Sequence, residues 1–335
     1  MNRTRTRTRI AHAMAWLLTL LPPCTALAHH GIASLGVAGI AGPGAPLETS
    51  SSQTLPRGSL LAYVKIDQPS FETFTPERDG EGDRSTFMMF GLGYGVRPCL
   101  SVYAFLPFHA KTAEDNAYNT AGFADASVAA VLGLRWDGRL RPVPANESLD
   151  DLEDLHVTVS AGASLPTGQE NLRDRDGAID PGLSLGFGGP SWNGGLTATK
   201  VLAPRWTAVA EASVVGFTEH RYADGARVRF GRETRLNAAL VARVLTRPAA
   251  RTRLDVNAEA NYLVLGRDEA DGVGEEATGG RILYGVGGLR LTRGPASLGL
   301  GWKAPVWTDL NEDALQQGAE GKEKGRLIAT LSCLF

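Results

Sequence analysis

Strict alternation of apolar and polar side chains in residues 254–264 constrains the fold more than any other feature. The even positions from Leu254 to Val264 are all apolar, whereas the odd positions 255–261 hold Asp255, Glu259 and two asparagines. A period of two is the signature of a β-strand with two different faces. A soluble sheet would bury the apolar face in its core. A membrane barrel would turn that face to lipid and the acids to a wet lumen.

The same alternation recurs in residues 124–136, 155–165, 206–216 and 228–244, and the polar faces carry both signs of charge. A soluble core rarely needs so many charged faces. Beyond residue 28 the sequence has no apolar run of about 18 residues, which excludes a membrane-spanning helix. Within a membrane, the remaining solution is a closed barrel, because every backbone polar group must be paired.

Twelve strands are predicted in the chain. They lie at about 57–67, 85–97, 99–110, 122–137, 154–166, 192–202, 205–217, 228–245, 252–266, 279–292, 295–307 and 324–335. Short connections alternate with long polar ones, as in barrels with short periplasmic turns and long extracellular loops. The predicted fold is therefore all-β: a transmembrane antiparallel up-and-down barrel of about 12 strands, preceded by a Gly/Pro-rich segment.

Residues 1–28 are predicted to be a secretory signal peptide. Four arginines precede the apolar run 11–21, and Ala26-Leu27-Ala28 forms a cleavage site. Cleavage removes four of the 34 basic residues and none of the 36 acidic ones, so the net charge moves from −2 to about −6. The sequence has no basic stripe, and a nucleic-acid partner is not expected.

The final segment, 325–335, is amphipathic and ends on Phe335. It resembles the closing strand of bacterial outer-membrane barrels, in which a terminal aromatic presents the chain to the barrel assembly machinery. An edge strand of a soluble sheet would show the same alternation. We therefore expect the barrel at 57–335 to lie in the bacterial outer membrane, in contact with lipid and lipopolysaccharide.

Residues 29–56 do not resemble a strand, being rich in Gly, Ala and Pro and then polar. They form either a periplasmic lead-in or a segment folded into the lumen. A twelve-stranded barrel is wider than an eight-stranded one, which side chains fill, and narrower than porins with open channels. A lumenal segment would narrow such a pore substantially.

The predicted lumen contains charges of both signs, which hydrate a channel and tune its selectivity, or pair across the lumen and close it. These residues are Lys65, Asp67, Asp125, Arg135, Glu211, Arg229, Glu233, Arg235, Arg243, Asp255, Glu259, Arg290, Lys303 and Arg326. The sequence favours a channel or transporter for a small-molecule solute over a closed structural barrel. It does not distinguish the pore's state, substrate or oligomeric form.

A histidine pair and a cysteine pair raise the questions of metal binding and of a disulfide. His29 and His30 would begin the mature chain and offer a chelate suited to Cu(II) or zinc, although a functionless leader is the plainer interpretation. No cofactor is expected. Cys99 and Cys333 fall three strand spacings apart, beyond disulfide reach, so both are predicted to be free thiols.

A barrel hydrolase is the enzymatic alternative, and it requires a nucleophile bonded to a base. His156 and Ser160 lie on one inward face, but no G-x-S-x-G motif with the right context occurs. The protein is predicted not to be an enzyme.

Several short motifs resemble the meta-pathway phenol-degradation outer-membrane family of transporter-like barrels. They are His29-His30-Gly31, Gly44-Ala45-Pro46-Leu47-Glu48-Thr49-Ser50, Thr54-Leu55-Pro56-Arg57-Gly58, Leu106-Pro107-Phe108 and Leu165-Pro166-Thr167-Gly168. Gly122-Phe123-Ala124-Asp125 matches the family's G-L-G-D only in part. The resemblance covers nearly the whole mature chain. It implies an outer-membrane barrel that passes small hydrophobic or aromatic compounds.

Overall fold

The computed structural model describes residues 45–71, 84–112, 120–145, 154–173, 177–276, 278–311 and 323–335. Within these ranges no helix combines the length and the apolar character needed to cross a bilayer. The predicted signal peptide and the histidines His29 and His30 lie outside the described residues.

Twelve long strands, here β1 to β12, form one sheet. They are Leu60–Phe71, Arg84–Arg97, Leu100–Thr112, Ser127–Trp136, Leu155–Ser164, Ser191–Ala203, Trp206–Phe217, Glu233–Arg247, Thr252–Leu265, Gly280–Arg293, Ala296–Leu310 and Glu323–Leu334. Each strand pairs antiparallel with the next, and β12 pairs with β1 through registers such as Lys65 opposite Thr330. The sheet therefore closes on itself, which confirms the predicted twelve-stranded barrel.

Backbone hydrogen bonding between β1 and the C-terminal segment extends to the ends of the strands that close the barrel. The backbone of Leu60 accepts a hydrogen bond from Phe335 at 2.7 Å and donates one back at 3.0 Å. Tight turns near Pro98, Pro204, Pro248 and Gly294 lie at the same end of the barrel, as the predicted short connections require. Cys99 and Cys333 are both free, as predicted.

The outer surface of the barrel is apolar. On β2, Phe90, Leu92 and Tyr94 are 41–56% exposed, while the alternate residues Phe87 and Met89 are buried. Contiguous apolar surface of this extent is rare on soluble proteins and is expected where strands face lipid. The pleat thus places apolar side chains outside and charges inside, the order that the alternation predicts.

The predicted fourth strand is divided. Residues 122–137 were expected to be continuous, but Thr120–Phe123 and β4 are separated by three residues without strand structure. The reason is Asp125, which turns its carboxylate away from the ladder to accept hydrogen bonds from the backbone N–H groups of Gly168 and Phe187, at 2.9 and 2.8 Å.

The position predicted for Arg229 is wrong. It was expected in the lumen on a strand beginning at residue 228, but β8 begins at Glu233. Residues Arg227–Arg229 instead join a separate four-stranded sheet with His220–Arg221, Glu269–Ala270 and Val273–Gly274. There Arg229 is half exposed and forms an ion pair with Glu269. Pairing of Val228 with Ala270 draws this stretch out of the barrel wall.

Candidate functional site

The barrel interior has two chemically different walls. Strands β1 to β4 contribute a buried apolar cluster that includes Tyr63, Phe87, Met89, Tyr103 and Phe105. The opposite wall, from β7 to β12, carries most of the buried charge. A solute in this interior would meet aromatic surface on one side and polar groups on the other.

Eight of the predicted lumenal residues are buried inside the barrel, each at most 6% exposed. They are Lys65, Asp67, Glu233, Asp255, Glu259, Arg290, Lys303 and Arg326. Several pair along their own strand: Arg235 with Glu233, and Arg253 with Asp255, both at 2.7 Å. Neutralisation of this kind is what makes buried charge tolerable.

Four further predicted residues occupy inward positions but are partly exposed: Arg135, Glu211, Arg235 and Arg243. Arg135 forms ion pairs with Asp137 and Asp154, at 3.0 and 3.2 Å. Asp125 is buried but lies in the break before β4, so it anchors the segment that contains Gly168 and Phe187. Burial raises the pKa of the Asp125 carboxyl, and those hydrogen bonds oppose the shift only in part.

Residues 45–56, here called the inner segment, cross the barrel interior. The Glu259 carboxylate on β9 accepts hydrogen bonds from the backbone N–H groups of Leu47 at 2.6 Å, Glu48 at 3.2 Å and Thr49 at 2.8 Å, and from the Thr49 hydroxyl. Consecutive N–H groups that converge on one anion form a nest. The carboxylate therefore holds the backbone of the inner segment directly.

Arg290 binds the same segment from the neighbouring strand β10. Its guanidinium donates to the backbone carbonyls of Ala45 at 2.9 Å and Pro46 at 2.8 Å. These bonds satisfy a fully buried cation that would otherwise be costly in the interior.

The Leu47 side chain occupies a socket lined by three inward-facing glycines. A Cβ atom at Gly301 would lie 2.5 Å from Leu47 Cδ1, and one at Gly299 would lie 2.6 Å from Leu47 Cδ2; Gly288 is the third. Any larger residue would collide with the leucine, so the absence of side chains at these positions creates its space.

Glu48 links β1 to β11 of the charged wall. Its carboxylate bonds Lys65 on β1 and, at 2.7 Å, Lys303 on β11. Asp67 lies 3.3 Å from Lys65, and Glu323 binds Arg326 at 2.6 Å. Three carboxylates thus face three cations in one cluster, here called the ion cluster: Glu48, Asp67, Glu323, Lys65, Lys303 and Arg326.

Backbone N–H groups and hydroxyls hold the rest of the inner segment; the Ser52 hydroxyl, for example, donates to the Thr197 carbonyl at 2.9 Å. The Ser50 N–H donates to Glu211, the Ser52 N–H donates to the Thr199 hydroxyl at 3.0 Å, and the Leu55 N–H donates to the Ser101 hydroxyl at 2.8 Å. Because these partners lie on β7, β6 and β3, the segment runs from one wall to the other.

Sequence reasoning missed Leu47, Glu48 and Thr49 as site residues, because the segment has no periodicity that could reveal its partners. A usable signal was the set of inward-phase glycines at 288, 299 and 301. Glycine weakens a strand unless another backbone or group approaches closely.

The structure also reveals a serine–histidine contact that the sequence did not suggest. Ser85 Oγ lies 2.6 Å from His109 Nε2, and Phe87 packs edge-on against the imidazole. His156, the histidine considered from the sequence, is buried at an inward position of β5. A pair of this kind is one part of a catalytic set, which also needs a group that orients the histidine.

A closed barrel with an apolar exterior, charged interior and lumenal peptide segment defines an outer-membrane β-barrel, and it places the protein in the bacterial outer membrane. Among solved structures it is similar to the COG4313 outer membrane channel from Pseudomonas putida F1. The TM-score is 0.63 and the sequence identity 15%, over 85% of this chain and 98% of that one. At this identity the likeness concerns the fold.

Weaker likenesses include the β domain of the Bordetella autotransporter BrkA, with a TM-score of 0.44, 12% identity and coverage of 83% of this chain and 100% of that one. LpxR from Salmonella typhimurium has a TM-score of 0.41, with 9% identity over 83% of this chain and 100% of that one. These scores are too low to support an argument. No protein-family model and no curated protein matches the sequence.

Proposed function

We propose that this protein is an outer-membrane channel that passes small hydrophobic or aromatic compounds, with the inner segment acting as a movable occlusion. The observation that carries the proposal is how the segment is attached. It contributes no strand to the barrel, so its departure would break none of the ladder hydrogen bonds that close the wall.

The two-sided interior supports the same function. An aromatic wall gives an apolar solute favourable surface, and the charged wall keeps the path hydrated once the inner segment moves. The COG4313 protein of similar fold is described as an outer membrane channel. The motif resemblance to phenol-degradation barrels points to the same class of solutes.

Several partners form part of this proposal. Lipid and lipopolysaccharide surround the apolar band, and Phe335 would present the closing strand to the barrel assembly machinery. Copper or zinc at His29 and His30 remains a prediction. A Cu(II) titration, repeated after substitution of both histidines by alanine, tests it; weak affinity that the substitutions leave unchanged contradicts it.

Two alternatives compete with the channel. In a closed structural barrel the inner segment stays in place, and the buried ion pairs are permanent. A barrel hydrolase would use a serine and a histidine such as Ser85 and His109. Both alternatives predict a barrel that does not conduct.

The test is single-channel conductance in planar bilayers, with the signal-free protein beside a variant lacking residues 29–56. Heat-modifiable gel mobility must first show that both are folded. We expect steady conductance from the shortened variant, and rarer or smaller openings from the longer protein. Silence from both folded proteins would overturn the channel and favour a structural or catalytic barrel.

A further inference from the structure

The inner segment presents two chemical groups to two prepared positions. The Leu47 side chain fills the glycine socket between β10 and β11, and the neighbouring Glu48 carboxylate lies between Lys65 and Lys303. A branched apolar group and a single carboxylate therefore occupy the interior side by side. The barrel interior therefore accommodates both groups at once.

Charge balance in the ion cluster changes when the inner segment leaves. With Glu48 in place, three carboxylates face three cations. Without it, Asp67 and Glu323 remain opposite Lys65, Lys303 and Arg326, so one positive charge is left in excess. Asp67 still accompanies Lys65, and Glu323 accompanies Arg326. Lys303 loses the carboxylate to which it is bonded.

A buried cation without a counter-ion is unfavourable, because the interior solvates it poorly. Among the described residues, Tyr284 still faces Lys303, with its ring centroid 4.5 Å from the ammonium. A cation–π contact of this kind compensates only part of a lost ion pair. The position vacated by the Glu48 carboxylate would therefore favour an anion.

We propose that the channel's substrates are small apolar monocarboxylates, which displace the inner segment by replacing both of its groups. The substrate carboxylate takes the place of Glu48 on Lys303, and its apolar body enters the socket that Leu47 vacates. This inference rests on the proposed channel function and narrows its solutes from small apolar compounds in general to those that carry one carboxylate.

The competing solutes satisfy only half of the site. A neutral hydrocarbon or phenol fills the socket but leaves Lys303 without an anion. Acetate or inorganic phosphate supplies the anion but leaves the socket without an apolar occupant. Specificity would follow because a solute that lacks one of the two groups leaves either the Lys303 ammonium or the glycine socket without a partner.

Calorimetric titration of the full signal-free chain in a non-ionic detergent tests the inference. The probes are 4-methylpentanoate, its uncharged amide and acetate. We expect the acid to bind at least about tenfold more tightly than either of the others, the size of effect expected for one charge-assisted hydrogen bond.

Three variants separate the contributions, each checked for folding by heat-modifiable mobility. Lys303→Gln should abolish the preference for the acid over the amide. Glu48→Gln should raise the affinity for the acid about tenfold, because it removes the internal competitor. Leu47→Ala should raise the affinity for 4-methylpentanoate but not for acetate. Glu269→Gln, in the small outer sheet, is the matched control and should change nothing.

Conductance is recorded in parallel in potassium chloride. Equal binding of acid and amide, no binding of either, or a preference that survives Lys303→Gln would overturn the substrate class even if the shortened variant conducts. Silent bilayers would overturn the channel itself, whatever the calorimetry shows. The two failures are therefore distinguishable.

Discussion

Glycines on the two faces of β10 and β11 have different roles. Gly301 faces inward, and a Cβ there would collide with Leu47. Gly287, which pairs with Trp302 and faces outward, has open space in the direction of its missing Cβ. Docking of the inner segment thus requires that the inward-facing glycines of the wall carry no Cβ atom. At the residue scale, the site is defined as much by small residues as by charged ones.

We expect Gly301→Ala to weaken docking of the inner segment by about 1–3 kcal/mol, because the added methyl group overpacks the Leu47 socket. Hydrogen exchange at the amides of Leu47 to Thr49 measures the change, since all three are bonded to Glu259 in the docked state. Gly287→Ala is the matched control and should leave exchange unchanged. Leu47→Ala should relieve the effect of Gly301→Ala; undiminished protection in Gly301→Ala alone would contradict the socket.

The alternation of inward and outward side chains explains which site residues could be predicted from the sequence. Glu259, Arg290 and Lys303 sit on strands whose alternation assigns each side chain to one face, so their inward position could be predicted. Glu48 lies in a segment without alternation, and its partners are 17 and 255 residues away. No local pattern contains that information.

At the scale of elements, the differences between expectation and structure occur where a strand meets an outer loop. Asp125 interrupts the ladder before β4 because its carboxylate binds Gly168 and Phe187. Val228 leaves the barrel because it pairs with Ala270. Both stretches alternate like strands, and only tertiary pairing decides their course.

The titration of Asp125 makes a prediction about pH. Burial raises its pKa in the folded protein above the unfolded value of about 4, so its contribution to stability is greatest below that value and is lost as the pH rises through the folded pKa. Asp125→Asn cannot titrate. We therefore expect the stability of the natural protein relative to Asp125→Asn to fall as the pH rises from 4 to 7.

Guanidinium unfolding in lipid vesicles, followed by tryptophan fluorescence, measures this difference. Asp224→Asn, in an exposed turn of the outer sheet, serves as the control. A stability difference between the natural protein and Asp125→Asn that stays constant across the pH range would show that Asp125 does not titrate in this way.

The whole molecule follows from two constraints that are visible in the sequence. Alternation with charged faces, and the absence of a long apolar run beyond residue 28, leave a closed barrel as the membrane solution, and the structure confirms twelve strands. The sequence is compatible with either a periplasmic or a lumenal path for the inner segment. Its position depends on hydrogen bonds and ion pairs with seven strands at once.

The apolar exterior predicts a large effect of charge on one face only. Leu300, half exposed on the outside of β11, should lie in the hydrocarbon. Leu300→Arg should lower the free energy of unfolding in vesicles by about 2–4 kcal/mol if it lies near the bilayer midplane. Val273→Arg, at a more exposed position in the outer sheet, should have little effect. Equal effects of the two substitutions would mean that the barrel exterior does not face lipid.

Glu48 also has a consequence for the order of assembly. The ring closes where β1 meets β12, and Glu48 links β1 to β11 from inside, through Lys65 and Lys303. The carboxylate thus bridges two strands that lie on opposite sides of this joint, with β12 between β11 and the joint. Contacts between such distant parts of a chain form slowly. A Glu48 bridge that holds β1 near β11 would therefore shorten the time for which the edges of β1 and β12 stay unpaired.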